Sequence, residues 1–202
     1  PPFGAGAKVA RTDWRPPGGD ADVARAVARL LGNPSVEAAN QKAFGLYLEA
    51  SPVLEGVGIA RETLPGMGDR MILHSGPPIG WERMCGPMRG GIVGAILLEG
   101  WATGPESALA LAARGEITFE PCHHHDAVGP MAGIISPSMP VWIVRNTVHG
   151  NRTFSNMNEG LGKVLRMGAN SQEVLERLRW MRDTLFPAMA KALAKGGPIE
   201  LK

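Results

Sequence analysis

Glycine and proline constrain the fold of this chain more than any other residues, and they concentrate between Pro65 and Gly133. The 202-residue sequence contains 27 glycines and 17 prolines. Apolar residues interrupt them throughout this stretch, so it does not read as a low-complexity linker. Because glycine lets backbone N–H groups approach a ligand closely, the pattern predicts ordered loops around a ligand.

The composition is that of an ordinary globular protein and excludes several classes of function. Hydrophobic residues make up 44% of the chain and charged residues 20%, and the length suits one large domain. A net charge of +2 with scattered basic residues argues against a nucleic-acid partner. No apolar run approaches the roughly 18 residues that span a membrane. Cys85 and Cys122 are too few for a disulfide framework, although one bond between them stays open. We therefore expect a cytoplasmic protein without a signal peptide.

Helix and strand signals alternate along the chain and predict an α/β fold. Residues 1–40 are expected to form an N-terminal extension with one or two helices, the first capped by Asp20. Residues 41–202 are expected to form the main domain, with mixed strands and helices, long Gly/Pro-rich ligand loops and a long helix at the end. The predicted strands are Val53–Ile59, Met71–His74, Glu116–Glu120 and Val141–Val144. The predicted helices are Gly90–Glu99, Thr103–Arg114, Asn158–Met167 and a helix from Ser171 that Pro187 kinks.

The densest group of reactive side chains is the segment Cys122–Asp126, which holds three of the five histidines. In an extended segment, His123 and His125 would share one face, as would Cys122 and His124, and either pair could ligate zinc. Further ligands would have to come from His74, His149 or Cys85. The segment lacks a dedicated zinc spacing, and structural hydrogen bonding by the histidines is the plainer alternative. We favour binding or proton transfer over a metal. A nucleophilic Cys122 is a weaker option because no orienting group is evident.

A second group runs from His74 to Gly91 and joins a strand, a Gly/Pro loop with two arginines and the start of an apolar helix. The helix N-terminus could hold an anion, and Arg83 or Arg89 could bind a carboxylate or phosphate through two hydrogen bonds. The alternative is a structural loop with solvated arginines. Since ligands gather outside the carboxyl ends of strands, this loop and the one from Cys122 to Gly133 should converge on one pocket.

A third group lies around residues 151–163. Its polar side chains could supply neutral and cationic donors to a ligand, or could simply cap helices and solvate the surface. The glycines among them weaken a helix, which suits a place where a ligand or another backbone packs closely.

Several motifs that occur in one order add a resemblance to these patterns. They are Leu64–Met67, His74–Ile79, Met84–Met88, Leu98–Trp101, Pro121–His124, Ala127–Met131, Ser136–Pro140, Gly150–Arg152, Asn158–Lys163 and Arg179–Asp183. As a set, over about residues 40–202, they resemble a bacterial family of unknown function whose best understood type is a subunit of oxamate carbamoyltransferase. His125 lies outside these motifs.

The resemblance implies an enzyme component of anaerobic allantoin degradation that works with other subunits. The implied reaction moves a carbamoyl group between oxalurate, or a similar ureido acid, and phosphate, giving oxamate and carbamoyl phosphate. Relatives of about twice this length make the chain look like an N-terminal half, so its own C-terminal half is a further expected partner. The Ser-Thr-Arg-Thr phosphate motif of ordinary carbamoyltransferases is absent, so their mechanism does not transfer.

The expected site follows from these groups together. The expected catalytic residues are His74, His123 and His124, and neither a metal nor a cofactor is expected. The expected substrate-binding residues are Ser75, Gly76, Arg83, Arg89, Gly129, Asn151, Arg152, Asn158, Glu159 and Lys163. Two other functions stay open: a non-catalytic assembly subunit, and a metal-dependent amidohydrolase acting on a cyclic ureide or amide. We also expect the chain not to act as a lone monomer.

Overall fold

The computed structural model describes residue 13 and residues 20–129, 133–157 and 159–202. The chain divides into two compact units, one ending at Glu49 and the other spanning Ala50–Lys202. No helix in the described part of the chain is both long enough and apolar enough to cross a membrane.

The first unit consists of the two helices α1 (Ala21–Leu31) and α2 (Pro34–Glu49), which pack against each other. The Asp20 side chain accepts a hydrogen bond from the backbone N–H of Asp22 at 2.7 Å, which satisfies one of the unpaired donors at the start of α1. The predicted cap is therefore confirmed. Neither helix buries any residue, so the apolar stripe of α1 stays exposed.

The second unit mixes helices and strands, which confirms the predicted fold class. In chain order its elements are β1 (Pro52–Ile59), α3 (Ala60–Thr63), β2 (Met71–His74), α4 (Gly86–Leu98), α5 (Pro105–Ala113), β3 (Thr118–Pro121), β4 (Ala127–Val128), β5 (Ile134–Ile135), β6 (Pro140–Asn146), β7 (Arg152–Asn156), α6 (Gln172–Trp180), a π-helical turn (Met181–Leu185), α7 (Phe186–Gly196) and β8 (Ile199–Glu200). Short 3-10 segments lie at Trp81–Arg83, Cys122–His125 and Leu165–Met167.

The strands form two sheets. The larger has the order β4-β7-β6-β1-β8, and its longest pairing joins β1 and β6 antiparallel, from Pro52 beside Asn146 to Ile59 beside Pro140. The smaller has the order β3-β2-β5, with β2 and β3 parallel. The parallel pair brings the carboxyl ends of two strands side by side.

Helix α4 is the centre of the main core. It is apolar on most of its surface and carries buried Ile92 and Ile96, neither of which is exposed to solvent. Its glycines let other backbones approach: a Cβ atom at Gly90 would lie 3.0 Å from the carbonyl carbon of Gly168. The helix therefore packs directly on the segment 165–168.

Two predicted elements differ from those observed, and a third agrees. The helix predicted over Asn158–Met167 is wrong, because Gly160 and Gly162 have φ of +96° and +89°. Among the described residues 159–167, only the 3-10 segment at the end is helical. The helix predicted from Gly90 begins earlier, at Gly86, with a proline in its first turn. The last helix is interrupted near Pro187 as predicted, by the π-helical turn that immediately precedes α7.

Candidate functional site

The carboxyl ends of β2 and β3 meet, and the chain leaves both at one edge of the smaller sheet. His74 ends β2 directly beside Pro121, which ends β3 and leads into the histidine segment. The two loops predicted to converge do begin side by side. We call His74, Ser75, Gly76, His123 and His124 the strand-end cluster.

His74 is the most unusual residue of the cluster. Its side chain is completely buried, and neither ring nitrogen has a hydrogen-bond partner. Burial lowers the pKa of this imidazole below its ordinary value, and the nearby His123 lowers it further. The ring is therefore neutral at pH 7, with one nitrogen able to donate a proton and the other able to accept one.

His123 and His124 are exposed, and His123 lies near enough to His74 to lower the pKa of its ring. Their own rings make an edge-to-face contact with centroids 4.7 Å apart. The segment that carries them is a 3-10 turn, which ends at Asp126 with φ of +52°. The extended segment considered for zinc ligation is therefore wrong, and with it the alternation of side chains on two faces.

His125 has a structural role instead. It is buried, and its Nδ1 lies 2.6 Å from the carbonyl oxygen of Pro65 while its Nε2 lies 2.9 Å from a carboxylate oxygen of Glu120. Gly66, with φ of +70°, brings its backbone close to the same ring. This histidine thus ties the loop after α3 to the end of β3.

Cys122 is a buried thiol. Its Sγ points to the carbonyl oxygen of Gly133 at 3.8 Å, and burial raises its pKa to about 12. A thiol with that pKa is protonated at neutral pH and is a poor nucleophile. The geometry offers no support for nucleophilic catalysis by this residue.

A pocket opens next to the cluster, at the N-terminus of α4. It is lined by Ser75, Gly76, Cys85, Pro87, Met88, Arg166 and Met167. A Cβ atom on Gly76 would lie 2.6 Å from the terminal methyl of Met88 and 3.3 Å from Nδ1 of His74, so glycine leaves room beside both side chains. The N-terminus of α4 carries a partial positive charge, and Arg166, which is paired with Glu159 at 3.8 Å, also lines the pocket.

Gly129 closes the base of the second loop. A Cβ atom there would lie 2.8 Å from Cα of Gly133, so the two backbones are in direct contact. Residues 130–132, of which Pro130 and Met131 belong to one of the motifs of the resemblance, lie outside the described residues. A larger residue in place of Gly129 or Gly133 would push the two ends of the loop apart.

The two predicted arginines of the first loop have different surroundings. Arg89 donates to the carbonyl oxygens of Trp81 and Glu82, at 3.2 and 2.6 Å, and its guanidinium lies 5.4 Å from the Trp81 ring centroid. It therefore holds the 3-10 segment against α4. Arg83 is exposed at the end of that segment.

The third predicted group does not join the strand-end cluster. Asn151 and Arg152 lie where the β6–β7 hairpin turns, and Arg152 contacts Glu55 through two hydrogen bonds of 2.9 and 3.3 Å. These bonds hold the pKa of Glu55 below its ordinary value. Lys163 is exposed, whereas Glu159 faces a separate cleft beside the last helix. Asn158 lies outside the described residues.

Sequence reasoning missed Arg166. This residue lines both the pocket at the N-terminus of α4 and the cleft that contains Glu159. Its side chain is 10% exposed, and it donates to the carbonyl oxygen of Gly160 at 2.6 Å. The sequence offered no local signal, because the segment 158–167 is predicted to be helical and the arginine would then lie on an ordinary helix. In the part of the chain that the structure describes, no three His, Cys, Asp or Glu side chains gather as a metal would require.

Known proteins resemble this chain in sequence and fold. Residues 117–202 match the family model of the oxamate carbamoyltransferase subunit AllG. The Escherichia coli K12 protein of that name is 53% identical over 126 residues, which are 62% of this chain and 30% of that protein. The uncharacterized protein YahG of the same strain is 46% identical over 199 residues, which are 96% of this chain and 42% of that protein.

A solved structure agrees with these matches. The crystal structure of a conserved protein of unknown function from Enterococcus faecalis V583 superposes with a TM-score of 0.79 and 46% identity, over 83% of this chain and 40% of that one. The chain thus spans less than half the length of these relatives. The predicted resemblance to a family that includes AllG is confirmed.

Proposed function

We propose that this chain, a relative of AllG, is part of a carbamoyltransferase subunit and that the strand-end cluster carries chemistry. The proposed reaction moves a carbamoyl group between oxalurate, or a similar ureido acid, and phosphate, giving oxamate and carbamoyl phosphate. The 53% identity to a protein named as an oxamate carbamoyltransferase subunit supports the reaction class. The buried, unpartnered imidazole of His74 is the observation that carries the assignment of the site.

The reaction has three demands. An oxygen of hydrogen phosphate must form a bond to the carbamoyl carbon while the bond from that carbon to the oxamate nitrogen breaks. The proton that the attacking phosphate loses must reach the departing nitrogen. The tetrahedral intermediate between these steps needs hydrogen-bond donors for its negative oxygen.

His74 suits the proton transfer. A neutral imidazole can take the proton from phosphate on one nitrogen, and its lowered pKa favours release of a proton to the leaving nitrogen. His123 lies close enough to influence that pKa, so it is the donor that we propose for the negative oxygen. His124 would orient it through the edge-to-face contact.

The pocket at the N-terminus of α4 suits phosphate. Backbone N–H groups at the start of a helix have no partner within the helix and favour an anion. Ser75 and Arg166 line the same pocket, and Gly76 leaves room for the anion beside His74. The binding roles of Arg83, Arg89, Gly129, Asn151, Arg152, Asn158 and Lys163 stay predictions.

The test is the release of oxamate from oxalurate with and without phosphate. We expect turnover that requires phosphate and that yields one carbamoyl phosphate per oxamate when the companion subunits are present. His123→Gln should lower the rate by about 10²-fold, in the range for loss of one oxyanion donor. His149→Gln, which changes an exposed histidine on the β6–β7 turn, is the matched control and should leave the rate unchanged. Hydrolysis that ignores phosphate would refute the proposal and favour an amidohydrolase.

An assembly role is a second candidate, and one observation favours it. Helix α1 buries none of its residues, yet its apolar side chains include Val27, Leu30 and Leu31, which are 45%, 59% and 83% exposed. An apolar helix face of this kind marks a protein contact. Removing the first unit should then weaken association with companion subunits, measured by light scattering, while leaving the second unit folded.

A further inference from the structure

His74 is closed off from the pocket beside it. Its side chain is completely buried, and both ring nitrogens lack hydrogen-bond partners. The pocket at the N-terminus of α4 is close, because Gly76 lines that pocket and a Cβ atom on Gly76 would lie 3.3 Å from Nδ1 of His74. Proton transfer requires that the imidazole come within hydrogen-bond reach of the ligand. A neighbouring group must therefore move before His74 can act on a molecule in the pocket.

The alternation of side chains along β2 shows which element covers the imidazole. Ile72 packs in the main core around α4, whereas Leu73 packs in a second, separate hydrophobic cluster. Because successive side chains of a strand point to opposite faces, His74 lies on the same face as Ile72. Helix α4 contacts β2, and Met88 lies in the first turn of this helix. The ring is therefore on the side of the sheet that α4 covers.

The end of the Met88 side chain lies at the boundary between His74 and the pocket. A Cβ atom on Gly76 would lie 2.6 Å from the terminal methyl of Met88 and 3.7 Å from its sulfur, and Nδ1 of His74 is 3.3 Å from the same point. Met88 also lines the pocket, and 8% of its surface is exposed. The thioether end is thus close to the ring nitrogen and borders the pocket at the same time.

Met88 is also the neighbour of His74 that moves most easily. The strands on either side of β2 are held by their pairing, with Pro121 of β3 and Ile134 of β5 beside His74. A methionine side chain is unbranched and has three rotatable bonds, so its end can change position without moving the backbone. The pocket holds about 580 Å³ of empty space, part of it open to solvent, which leaves room for that movement.

We propose that Met88 is the gate between the pocket and His74. With its methyl beside Gly76, the side chain keeps the imidazole covered. With its end rotated away from Gly76, Nδ1 of His74 faces a molecule in the pocket. Glycine at position 76 suits this movement because a Cβ atom would occupy the point between the methyl and the ring nitrogen. The gate stands on this geometry, whereas the identity of the entering group as an oxygen of phosphate rests on the proposed function.

Diethyl pyrocarbonate is the probe for the gate, because it modifies accessible neutral imidazoles. Trypsin cuts after Arg70 and Arg83, so the peptide between them carries His74 as its only histidine, and mass spectrometry follows its modification separately. The exposed His149 lies in a different tryptic peptide and is the internal reference. In the whole parent protein, His74 should react far more slowly than His149. Equal rates would show that His74 is already open and would overturn the inference.

The variant Met88→Ala removes the gate. The rate at His74 should rise roughly tenfold or more, because the cost of moving a buried methionine side chain no longer opposes access. Met88→Leu keeps the apolar volume but lacks the terminal methyl, so it serves where Met88→Ala does not fold, and it should also react faster than the parent. The matched control Met181→Ala removes another buried methionine, which lines the cleft beside the last helix, and should leave the rate at His74 unaltered. An unchanged rate in a folded Met88 variant would refute the gate.

The double variant Gly76→Ala/Met88→Ala separates gating from a general loss of stability. The alanine Cβ atom would lie 3.3 Å from Nδ1 of His74, and the methyl with which it would clash is absent. The backbone of Gly76 is not left-handed, so alanine fits there. The double variant should therefore restore slow modification of His74, and a rate as high as that of Met88→Ala would contradict the proposal. No turnover is measured, so the gate can hold when carbamoyl transfer from oxalurate fails, and can fail when transfer is observed.

Discussion

Close packing of α4 against the segment 165–168 gives the sharpest stability prediction. Alanine favours a helix over glycine by about 1 kcal/mol, so Gly90→Ala would stabilise an isolated helix. Here the new Cβ atom would lie 3.0 Å from both Cα and the carbonyl carbon of Gly168, and closer still to its oxygen. These are backbone atoms, and Asn170 also holds the interface by donating to the carbonyl oxygen of Gly90 at 3.0 Å. Neither backbone can give way as a flexible side chain would.

The net effect follows from two opposing quantities. Overpacking costs about 1–3 kcal/mol, occasionally more, and a rigid backbone contact belongs at the upper end. After the gain in helix propensity, we expect a loss of about 2 kcal/mol in the free energy of unfolding, or a fall of roughly 4–8 °C in Tm for a protein of this size. Calorimetry of Gly90→Ala should show this fall. Gly45→Ala makes the same change where a Cβ atom meets nothing within 4 Å, and should cause no loss. A Gly90→Ala protein as stable as the parent would refute the packing argument.

Three further predictions concern titration and reactivity. Iodoacetamide at pH 8 should label the exposed Cys85 and spare Cys122, whose pKa is about 12, until denaturant is added; equal labelling in the native protein, seen by mass spectrometry, would contradict its burial. The folded pKa of His74 lies below 6.5, so the unfolded chain binds a proton first as the pH falls, and the free energy of unfolding should drop below about pH 6.5. His74→Gln should remove that part of the pH dependence in urea titrations, and an unchanged slope would be inconsistent with a buried neutral ring. His123→Gln should raise the pKa of His74 in an NMR titration, since it removes the electrostatic repulsion.

The parts of the fold that sequence could predict are those that local rules determine. Asp20 and Gly32 bound α1 because capping acts over a few residues. The ends of β2 and β3 were predicted to meet because parallel strands in α/β proteins share a carboxyl edge. Apolar periodicity likewise identified the last helix, and its interruption near Pro187 follows from the missing N–H of proline.

The errors arose where glycine and tertiary contacts decide the structure. Residues 158–167 carry apolar and polar residues at helical spacing. Gly160 and Gly162 nevertheless adopt a left-handed backbone, so the spacing does not predict the structure of this segment. The histidine segment follows a strand directly, and only the bonds of His125 to Pro65 and Glu120 show that it turns instead of continuing. The contact between His125 and Pro65 joins residues 60 apart and leaves no local trace in the sequence.

The candidate site also could be predicted only where local chemistry or topology determines it. The sequence identified His74 and His123 from chemistry, and their proximity follows from topology. The cleft beside the last helix could not be predicted, because its lining comes from distant parts of the chain, between Leu98 and Arg182. Only the folded chain shows that Oδ1 of Asn156 and Oε2 of Glu159 lack hydrogen-bond partners. Satisfaction of hydrogen bonds is a property of the folded chain.

The central claim is that His74 transfers the proton in carbamoyl transfer, and one measurement tests it most directly. Carbamoyl phosphate formed from oxalurate and phosphate should be quantified for the parent protein and for His74→Gln, each assembled with its companion subunits. Glutamine preserves polarity and approximate size but transfers no proton, so we expect the rate to fall by roughly 10²–10⁴-fold, the range for general acid–base groups, with the complex intact by light scattering. A folded, assembled His74→Gln enzyme that forms carbamoyl phosphate at the parent rate would contradict the account.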